Sequence, residues 1–180
     1  MKPRIVNHIN SARRVKLALC IGVSQYSEYT KFFKDIPSAE RDSALMANLL
    51  SELNFGCVLR ISDESQVTPT KQNIIDACKE IMTMATERHC KLLKSFPDAE
   101  PPLIVVHYGG HGVQLAGSKE LHFVPSLAGI PVNIEQEDLV SIAVRITAFW
   151  PNISIIPRIS TLRLEDNFIF IAFLREYYPA

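Results

Sequence analysis

This sequence contains little of what marks several common classes of protein. It has four cysteines in 180 residues, with no C-x-x-C pair, and a single tryptophan. The cysteine usage excludes a small disulfide-stabilised scaffold and is typical of a reducing compartment, so we expect a cytoplasmic protein. Nineteen basic and nineteen acidic residues leave no net charge. This balance argues against nucleic acid or a membrane surface as a partner bound by bulk charge.

Long apolar segments are also missing. The longest unbroken apolar run, Phe168–Leu174, is far shorter than the ~20 residues that cross a bilayer. The basic N-terminus precedes an apolar run at Leu17–Val23, as in a secretory signal, but the residues after that run provide no small-residue cleavage site. We therefore interpret the run as a first buried strand and residues 1–15 as a loose leader.

The composition that remains is globular. Apolar residues make up 47% of the chain and charged residues 21%, which fits one folded domain over residues 16–180. Apolar patterns predict the order β-α-β-α-β-hairpin-α-β. The segments are Lys16–Val23, Ser38–Leu53, Cys57–Ile61, Thr70–Phe96, Leu103–Tyr108, Val113–Val124, Asn133–Trp150 and Phe168–Leu174. That order predicts an α/β fold with a mainly parallel central sheet, and Asn152–Glu165 has no clear periodicity.

The first two helices have distinct starting signals. Ser38 and Thr70 can each cap the helix that follows, because a hydroxyl oxygen accepts from the first free backbone N–H groups. In the first helix, Leu45, Leu49 and Leu53 recur every four residues, with Met46 and Leu50 alongside. This spacing predicts one apolar helix face.

One histidine is a candidate catalytic group. His111 follows a buried strand in the run Gly109-Gly110-His111-Gly112, at the edge where open α/β sheets bind their ligands. The glycines leave the imidazole accessible and allow the Gly112 N–H to face a substrate oxygen, as acyl transfer requires. The alternative is an exposed loop histidine whose glycines only serve the turn. Position alone does not separate these interpretations.

Three other chemistries fit the residues less well. His107 and His111 are four residues apart, but no carboxylate or cysteine completes a metal set, so we expect no metal and no other cofactor. The run Gly22-Val23-Ser24 lacks the last glycine of a serine-hydrolase nucleophile elbow. A hairpin follows the glycines at His111, whereas a nucleotide-binding loop needs a helix there.

Five segments, in the same order along the chain, resemble the caspase-like cysteine peptidases. They are a leucine-rich first helix, the turn after it, the capped start of the next helix, the histidine loop with its strand, and a strand that closes with proline: Ala39–Leu50, Leu53–Val58, Pro69–Ile74, Val105–Gly112 and Leu121–Pro125. The resemblance extends from Lys16 to about Arg145. It implies a three-layer α/β/α domain and a cysteine-type endopeptidase activity.

The resemblance also implies roles for single residues. His111 would be the proton shuttle of a cysteine thiolate, and the Gly112 N–H would bind the oxyanion. Asp42 would line the substrate pocket of the branches that cleave after basic residues, although it could instead only favour the helix N-terminus. Gly109 replaces the serine of those branches. Arg41 is better interpreted as a solvated helix residue than as the arginine of the Asp-cleaving branches.

The nucleophile is missing where the resemblance requires it. In the last apolar strand, Ala172 stands at the family's Asp and Leu174 at its Cys, and no cysteine follows Cys90. We therefore predict an inactive member that acts as a binding or regulatory module for a peptide or protein, and the resemblance implies a relation to apoptosis. The alternative is a fragment, or a misread form, of an active peptidase, because the residues from Asn152 onward fit the family poorly. The domain would then be incomplete on its C-terminal side.

The strand Phe168–Leu174 carries two further predictions. We expect it to lie beside Leu103–Tyr108, with its end within reach of His111. If it also ends the sheet, its seven apolar residues form an open edge that can pair with another strand. We then expect self-association through this edge, a partner that donates a strand, or low solubility.

Overall fold

The computed structural model describes residues 13–26, 33–114, 121–126, 153–156 and 170–176. These residues form seven strands and two helices: β1 (Arg14–Gly22), α1 (Pro37–Glu52), β2 (Cys57–Ser62), α2 (Lys71–Ser95), β3 (Glu100–Gly109), β4 (Gly112–Gln114), β5 (Leu121–Phe123), β6 (Ile153–Ile156) and β7 (Phe170–Glu176). Neither helix is long and apolar enough to cross a membrane. Residues 1–12 of the predicted leader and the helix predicted over Asn133–Trp150 lie outside the described residues, and β1 begins inside the predicted leader.

Five strands form one sheet in the order β2-β1-β3-β7-β6. The first three are parallel, with Leu17 of β1 opposite Cys57 on one side and Ile104 on the other. The predicted α/β fold with a parallel central sheet is therefore confirmed. β4 and β5 pair antiparallel as a separate hairpin, as the sequence predicts.

The last strand lies where it was predicted, but its direction and its outer neighbour differ from the prediction. β7 pairs with β3 in the antiparallel sense, and β6 pairs with the other side of β7. β6 comes from Asn152–Glu165, the stretch without periodicity. The prediction of an open edge at Phe168–Leu174 is therefore wrong, because β7 has a paired strand on each side. Self-association itself stays a prediction.

The two helices cover opposite faces of the sheet. Alternate residues of a strand point to opposite faces, and β1 contributes to two separate cores. The larger core joins β1 to α2 through buried side chains: Leu17, Leu19, Ile21, Ile74, Ile81 and Ala85. The smaller core joins Ala18 and Cys20 of β1 to Leu50 of α1. This is the predicted three-layer α/β/α arrangement.

Only part of the predicted apolar face of α1 packs on the sheet. Leu45, Leu49 and Leu53 are 59%, 48% and 53% exposed, so the leucine spacing marks the outer face of the helix. The buried residues of α1 are Ala39, Glu40, Ser43 and Leu50. The prediction of one apolar face is therefore correct only in part: Leu50 and Met46 pack against the core, whereas the other three leucines are exposed.

The first half of α1 approaches β1 closely. A Cβ atom on Gly22 would lie 2.6 Å from Ser43 Oγ and 2.8 Å from the Ala39 carbonyl oxygen. At this contact the helix can present only small side chains to the strand, whereas Leu50, about two turns later, packs on Ala18 and Cys20. The start of α1 also differs from the prediction: Pro37 stands in the first turn, and the cap is Ile36 rather than Ser38.

The start of α2 follows the prediction. Thr70 is the N-cap, and its Oγ1 accepts a hydrogen bond from the Asn73 N–H at 3.3 Å. The helix continues for 25 residues to Ser95, and Pro97 and the residues after it do not extend it. The return of the chain by α2 is what allows β3 to pair parallel with β1.

A buried carboxylate connects α1 to β2. Glu40 is 7% exposed, and its side chain forms an ion pair with Arg60. Ser62 Oγ donates to the same carboxylate at 2.9 Å, and Ser43 Oγ donates to the Glu40 carbonyl oxygen at 2.8 Å. The charge is thus paired and hydrogen-bonded, as a buried carboxylate requires.

We expect Arg60→Met to lower the free energy of unfolding by about 2–4 kcal/mol, because the Glu40 carboxylate would stay buried without its cation. Urea denaturation measures the loss. The double variant Arg60→Met with Glu40→Gln is the control, since it removes the orphaned charge and should recover part of the stability. If the double variant is less stable than Arg60→Met, the ion pair is not the cause.

Candidate active site

The candidate catalytic histidine lies in the predicted loop. His111 is two residues beyond β3, at the carboxyl edge of the parallel strands, and β4 begins at the next residue, Gly112. Gly110 has φ 156°, and a Cβ atom there would lie 2.6 Å from the Tyr108 hydroxyl and 2.7 Å from the Tyr26 hydroxyl. Glycine is therefore required at position 110, both by the backbone and by the two tyrosines.

Two buried tyrosines hold the main chain of His111. The His111 N–H donates to the Tyr26 hydroxyl at 3.1 Å, and the Tyr108 hydroxyl is within donating distance of the His111 carbonyl at 3.0 Å. Both hydroxyls also reach the carbonyl of Val124, at 3.1 Å from Tyr26 and 2.6 Å from Tyr108. The Val124 N–H in turn donates to the His111 carbonyl. The histidine loop is thereby connected to the segment after β1, to β3 and to the segment after β5.

Burial keeps both hydroxyls protonated. It raises the pKa of Tyr26 and of Tyr108 above the usual range for tyrosine, and the hydrogen bond between the two hydroxyls is a smaller influence. Protonated hydroxyls can donate to the carbonyl oxygens of this loop at any physiological pH. Because these two tyrosines do not ionise at physiological pH, they hold His111 in the same position throughout that range.

A backbone carbonyl orients the imidazole. His111 Nε2 lies 2.7 Å from the Lys34 carbonyl oxygen. A carbonyl can only accept, so Nε2 carries the hydrogen, and in the neutral ring the Nδ1 lone pair is available as a base. The ring also packs against Tyr26 and Phe33, with centroids 4.7 Å and 4.9 Å away. This tautomer is the one a general base at Nδ1 needs.

Two carboxylates position the loop that carries these contacts. Asp63 Oδ2 accepts from the backbone N–H groups of Ser24 at 2.5 Å and Gln25 at 3.0 Å. Asp35 Oδ1 accepts from the Tyr26 N–H at 2.7 Å. The sequence analysis assigned no role to residues 24–36 and missed these contacts. The aromatic residues among them were the available signal, because aromatic side chains bury large apolar areas and a buried tyrosine hydroxyl usually finds a hydrogen-bond partner.

Asp42 lies on α1 close to β3. Its side chain is 30% exposed, and its negative charge acts on His107, which is 1% exposed. Because His107 is near the carboxyl end of β3, its interaction with Asp42 places Asp42 near the same end, where His111 also lies. The proximity of Asp42 and His107 supports a position for Asp42 near the candidate site, while a role in substrate binding stays a prediction.

His107 is a buried histidine without a full set of hydrogen bonds. Its Nδ1 has no partner among the residues that the structure describes. Burial lowers its pKa to about 4, while the Asp42 carboxylate acts in the opposite direction. His107 is therefore neutral at pH 7, and the described residues contain no group of three potential ligands that would make it part of a metal site.

The register of β7 separates the predicted nucleophile position from His111. Leu174 pairs with Ile104, in the first half of β3, whereas Phe170 pairs with Tyr108 near the histidine loop. The prediction that the end of Phe168–Leu174 lies within reach of His111 is therefore wrong. Because β7 is antiparallel, its carboxyl end reaches the opposite edge of the sheet. Ala172, at the position of the family's Asp, pairs with Val106 in the middle of β3.

The four cysteines lie away from the histidine loop or inside the core. Burial raises the pKa of Cys20 to about 12 and that of Cys78 to about 11. Cys57 begins β2 opposite Leu17, near the amino end of the parallel strands. Cys90 is exposed in the last third of α2. Cys20 and Cys78 therefore act as apolar filling residues, whereas the exposed Cys90 does not.

The comparisons with known proteins place this geometry in a family. The model of the caspase domain matches residues 15–150, which is more than half of the chain and includes β2 to β5, the histidine loop and all of β1 except its first residue. Neither a search of curated proteins nor one of solved structures found a match. With a caspase-domain match over this span and an α/β fold of the expected kind, the chain belongs to the caspase-domain family of peptidases.

Proposed function

We propose that this chain is a caspase-family domain that binds a peptide or protein without cleaving it. The observation that carries the proposal is an oriented imidazole without a cysteine thiol that it could deprotonate. His111 has its Nε2 held by the Lys34 carbonyl, but the sequence contains no cysteine after Cys90. A base without a nucleophile can hold and polarise a bound group but cannot form an acyl-enzyme.

The cysteines that are present support the same proposal. A nucleophilic cysteine has a lowered pKa and an accessible sulfur. Cys20 and Cys78 have pKa values raised by burial, so neither forms a thiolate at neutral pH. Cys57 and Cys90 belong to the amino end of β2 and the last third of α2, rather than to the edge of the sheet that carries His111.

A basic peptide is the ligand class that we favour. Asp42 is partly exposed, and its charge could pair with an arginine or lysine side chain. The Gly112 N–H next to His111 could donate to a peptide carbonyl. The proposal therefore includes Asp42, His111 and Gly112 as binding residues. A regulatory role, a link to apoptosis and a cytoplasmic location all stay predictions.

We expect the purified chain not to hydrolyse Arg-, Lys- or Asp-directed peptide substrates above the rate of its His111→Ala variant. The measurement is release of a fluorophore from peptides of each class, at several protein concentrations. Turnover that disappears in the His111→Ala variant, with no contaminating protease, would contradict the proposal. Loss of turnover on thiol alkylation would then identify a cysteine nucleophile.

Binding is tested on the same protein with the same peptides, made non-cleavable. We expect fluorescence anisotropy to detect an arginine peptide, and the Asp42→Asn variant to bind it roughly tenfold more weakly, as the loss of a charge-assisted hydrogen bond predicts. Asp76→Asn on the outer face of α2 is the matched control. If Asp42→Asn and Asp76→Asn bind the arginine peptide with equal affinity, and also bind an aspartate peptide with equal affinity, the role of Asp42 is contradicted.

The second candidate is an active cysteine endopeptidase of which these 180 residues are a part or a misread form. The family match stops at residue 150, so the residues after it do not support either candidate. Sequencing the transcript beyond the codon for Ala180 separates the two. A downstream strand followed by a cysteine favours the peptidase.

A further inference from the structure

The outer face of α1 carries an apolar stripe that the core does not use. Leu45, Leu49 and Leu53 are each about half exposed, at 59%, 48% and 53%. Single exposed leucines are common on protein surfaces, but three at a spacing of four residues form one continuous patch along a helix. Contiguous apolar patches of this kind mark interaction surfaces.

The inner face of the helix packs on the sheet without these three leucines. The buried residues of α1 are Ala39, Glu40, Ser43 and Leu50, and Met46 packs against the same core. The three leucines therefore contribute little to the described core, and the stripe is available to a partner.

The stripe has opposite charges at its two ends. Arg41, 77% exposed, stands one turn before Leu45, and Glu52, also exposed, stands beside Leu53. At 100° per residue, Arg41 and Glu52 fall on the same side of the helix as Leu45. They are separated by roughly 16 Å along the axis.

This pattern is self-complementary in one orientation only. When two copies of α1 pack antiparallel, the Arg41 of each faces the Glu52 of the other, and Leu45 and Leu49 of both copies meet in the middle. A parallel arrangement would place like charges together. A two-fold axis relating identical patches is the usual symmetry of a homodimer.

We propose that two copies of this chain associate through α1, antiparallel, with the stripe of Leu45, Leu49 and Leu53 as the shared surface. One helix face per chain buries less than the roughly 800 Å² per partner of a standard stable interface. The dimer is therefore weak and exchanges at micromolar concentration. This surface is distinct from the β7 strand, and the proposal does not depend on the function proposed above.

The test is sedimentation velocity of the full chain over a micromolar concentration series. We expect a reversible monomer–dimer equilibrium, weakened more than tenfold by Leu49→Asp. Val67→Asp is the matched control, because Val67 is also exposed, at 43%, but lies outside α1, and it should leave the equilibrium unchanged. A wild-type chain that stays monomeric, for instance because its own residues cover the stripe, would overturn the proposal.

Charge reversal tests the orientation. Arg41→Glu and Glu52→Arg should each weaken self-association roughly tenfold through like-charge contacts, while an equimolar mixture of the two variants should dimerise again. The double variant should also dimerise. Both changes place a charge favourably for the helix dipole, so unfolding of α1 does not account for a loss. A dimer that all these variants retain would assign association to another surface, such as a strand edge.

Discussion

Replacing Gly22 by valine is expected to cost the protein most or all of its stability. The missing side chain is what allows α1 to lie against β1: a Cβ atom at this position would be 2.6 Å from Ser43 Oγ and 2.8 Å from the Ala39 carbonyl oxygen. The serine hydroxyl can rotate, but the carbonyl belongs to the helix backbone and moves only if the helix moves. Overpacking of this kind costs about 1–3 kcal/mol for one added carbon and more for a branched side chain.

The series Gly22→Ala and Gly22→Val, followed by urea denaturation, measures this effect. We expect a loss of about 2–3 kcal/mol for alanine and a larger one for valine. Gly56→Ala is the control, because a Cβ atom there meets nothing closer than Arg88 Nη1 at 3.5 Å. Adding Ser43→Ala to Gly22→Ala should recover part of the stability. Equal losses at positions 22 and 56 would show that backbone entropy, rather than the helix contact, decides the result.

Acid is expected to destabilise the protein through His107. Burial lowers its pKa from 6.5 to about 4 in the folded state. Above pH 6.5 the imidazole is neutral in both states and has no influence. Between pH 6.5 and pH 4 the unfolded chain takes up a proton that the folded chain does not, so stability falls as the pH falls. The total loss from this group is on the order of 3 kcal/mol.

Denaturation at a series of pH values, compared between the wild type and His107→Leu, isolates this contribution from that of the carboxylates. Above pH 6.5 we expect the free energy of unfolding to change with pH in the same way for both proteins. Between pH 6.5 and pH 4 we expect the variant to lose less stability than the wild type. Asp42→Asn should steepen the loss, because the Asp42 carboxylate raises the pKa of His107. Identical pH profiles for the wild type and His107→Leu would contradict the prediction.

Features that depend on neighbouring residues in the chain could be predicted. The apolar runs of β1, β2 and β3 and the Thr70 cap were visible as local patterns, since strand burial and helix capping need only a few adjacent residues. The loop around His111 was also visible, because glycines on both sides of a polar residue, directly after a buried strand, favour a tight and accessible turn. These local features, in their order, were enough for the fold class.

The leucines of α1 show where such reasoning fails. Their spacing marks a helix face correctly but does not say whether that face packs on the sheet. The side that packs is determined partly by Gly22, which is distant in sequence and requires the small residues Ala39 and Ser43 opposite it, and Leu50 packs on that same side. Amphipathic periodicity is therefore ambiguous when a helix carries apolar residues on both sides.

The sequence by itself determined the element types, the fold class and the candidate histidine, because short-range backbone preferences and apolar periodicity act within a few residues. The tertiary structure decided the direction of β7, its pairing with β6, and the contacts that orient His111. Strand direction depends on the connection before the strand, and the Lys34 carbonyl reaches His111 Nε2 across 77 positions of sequence. Backbone groups carry no residue-specific signal, so a site built partly from a carbonyl oxygen becomes visible only when the chain is folded.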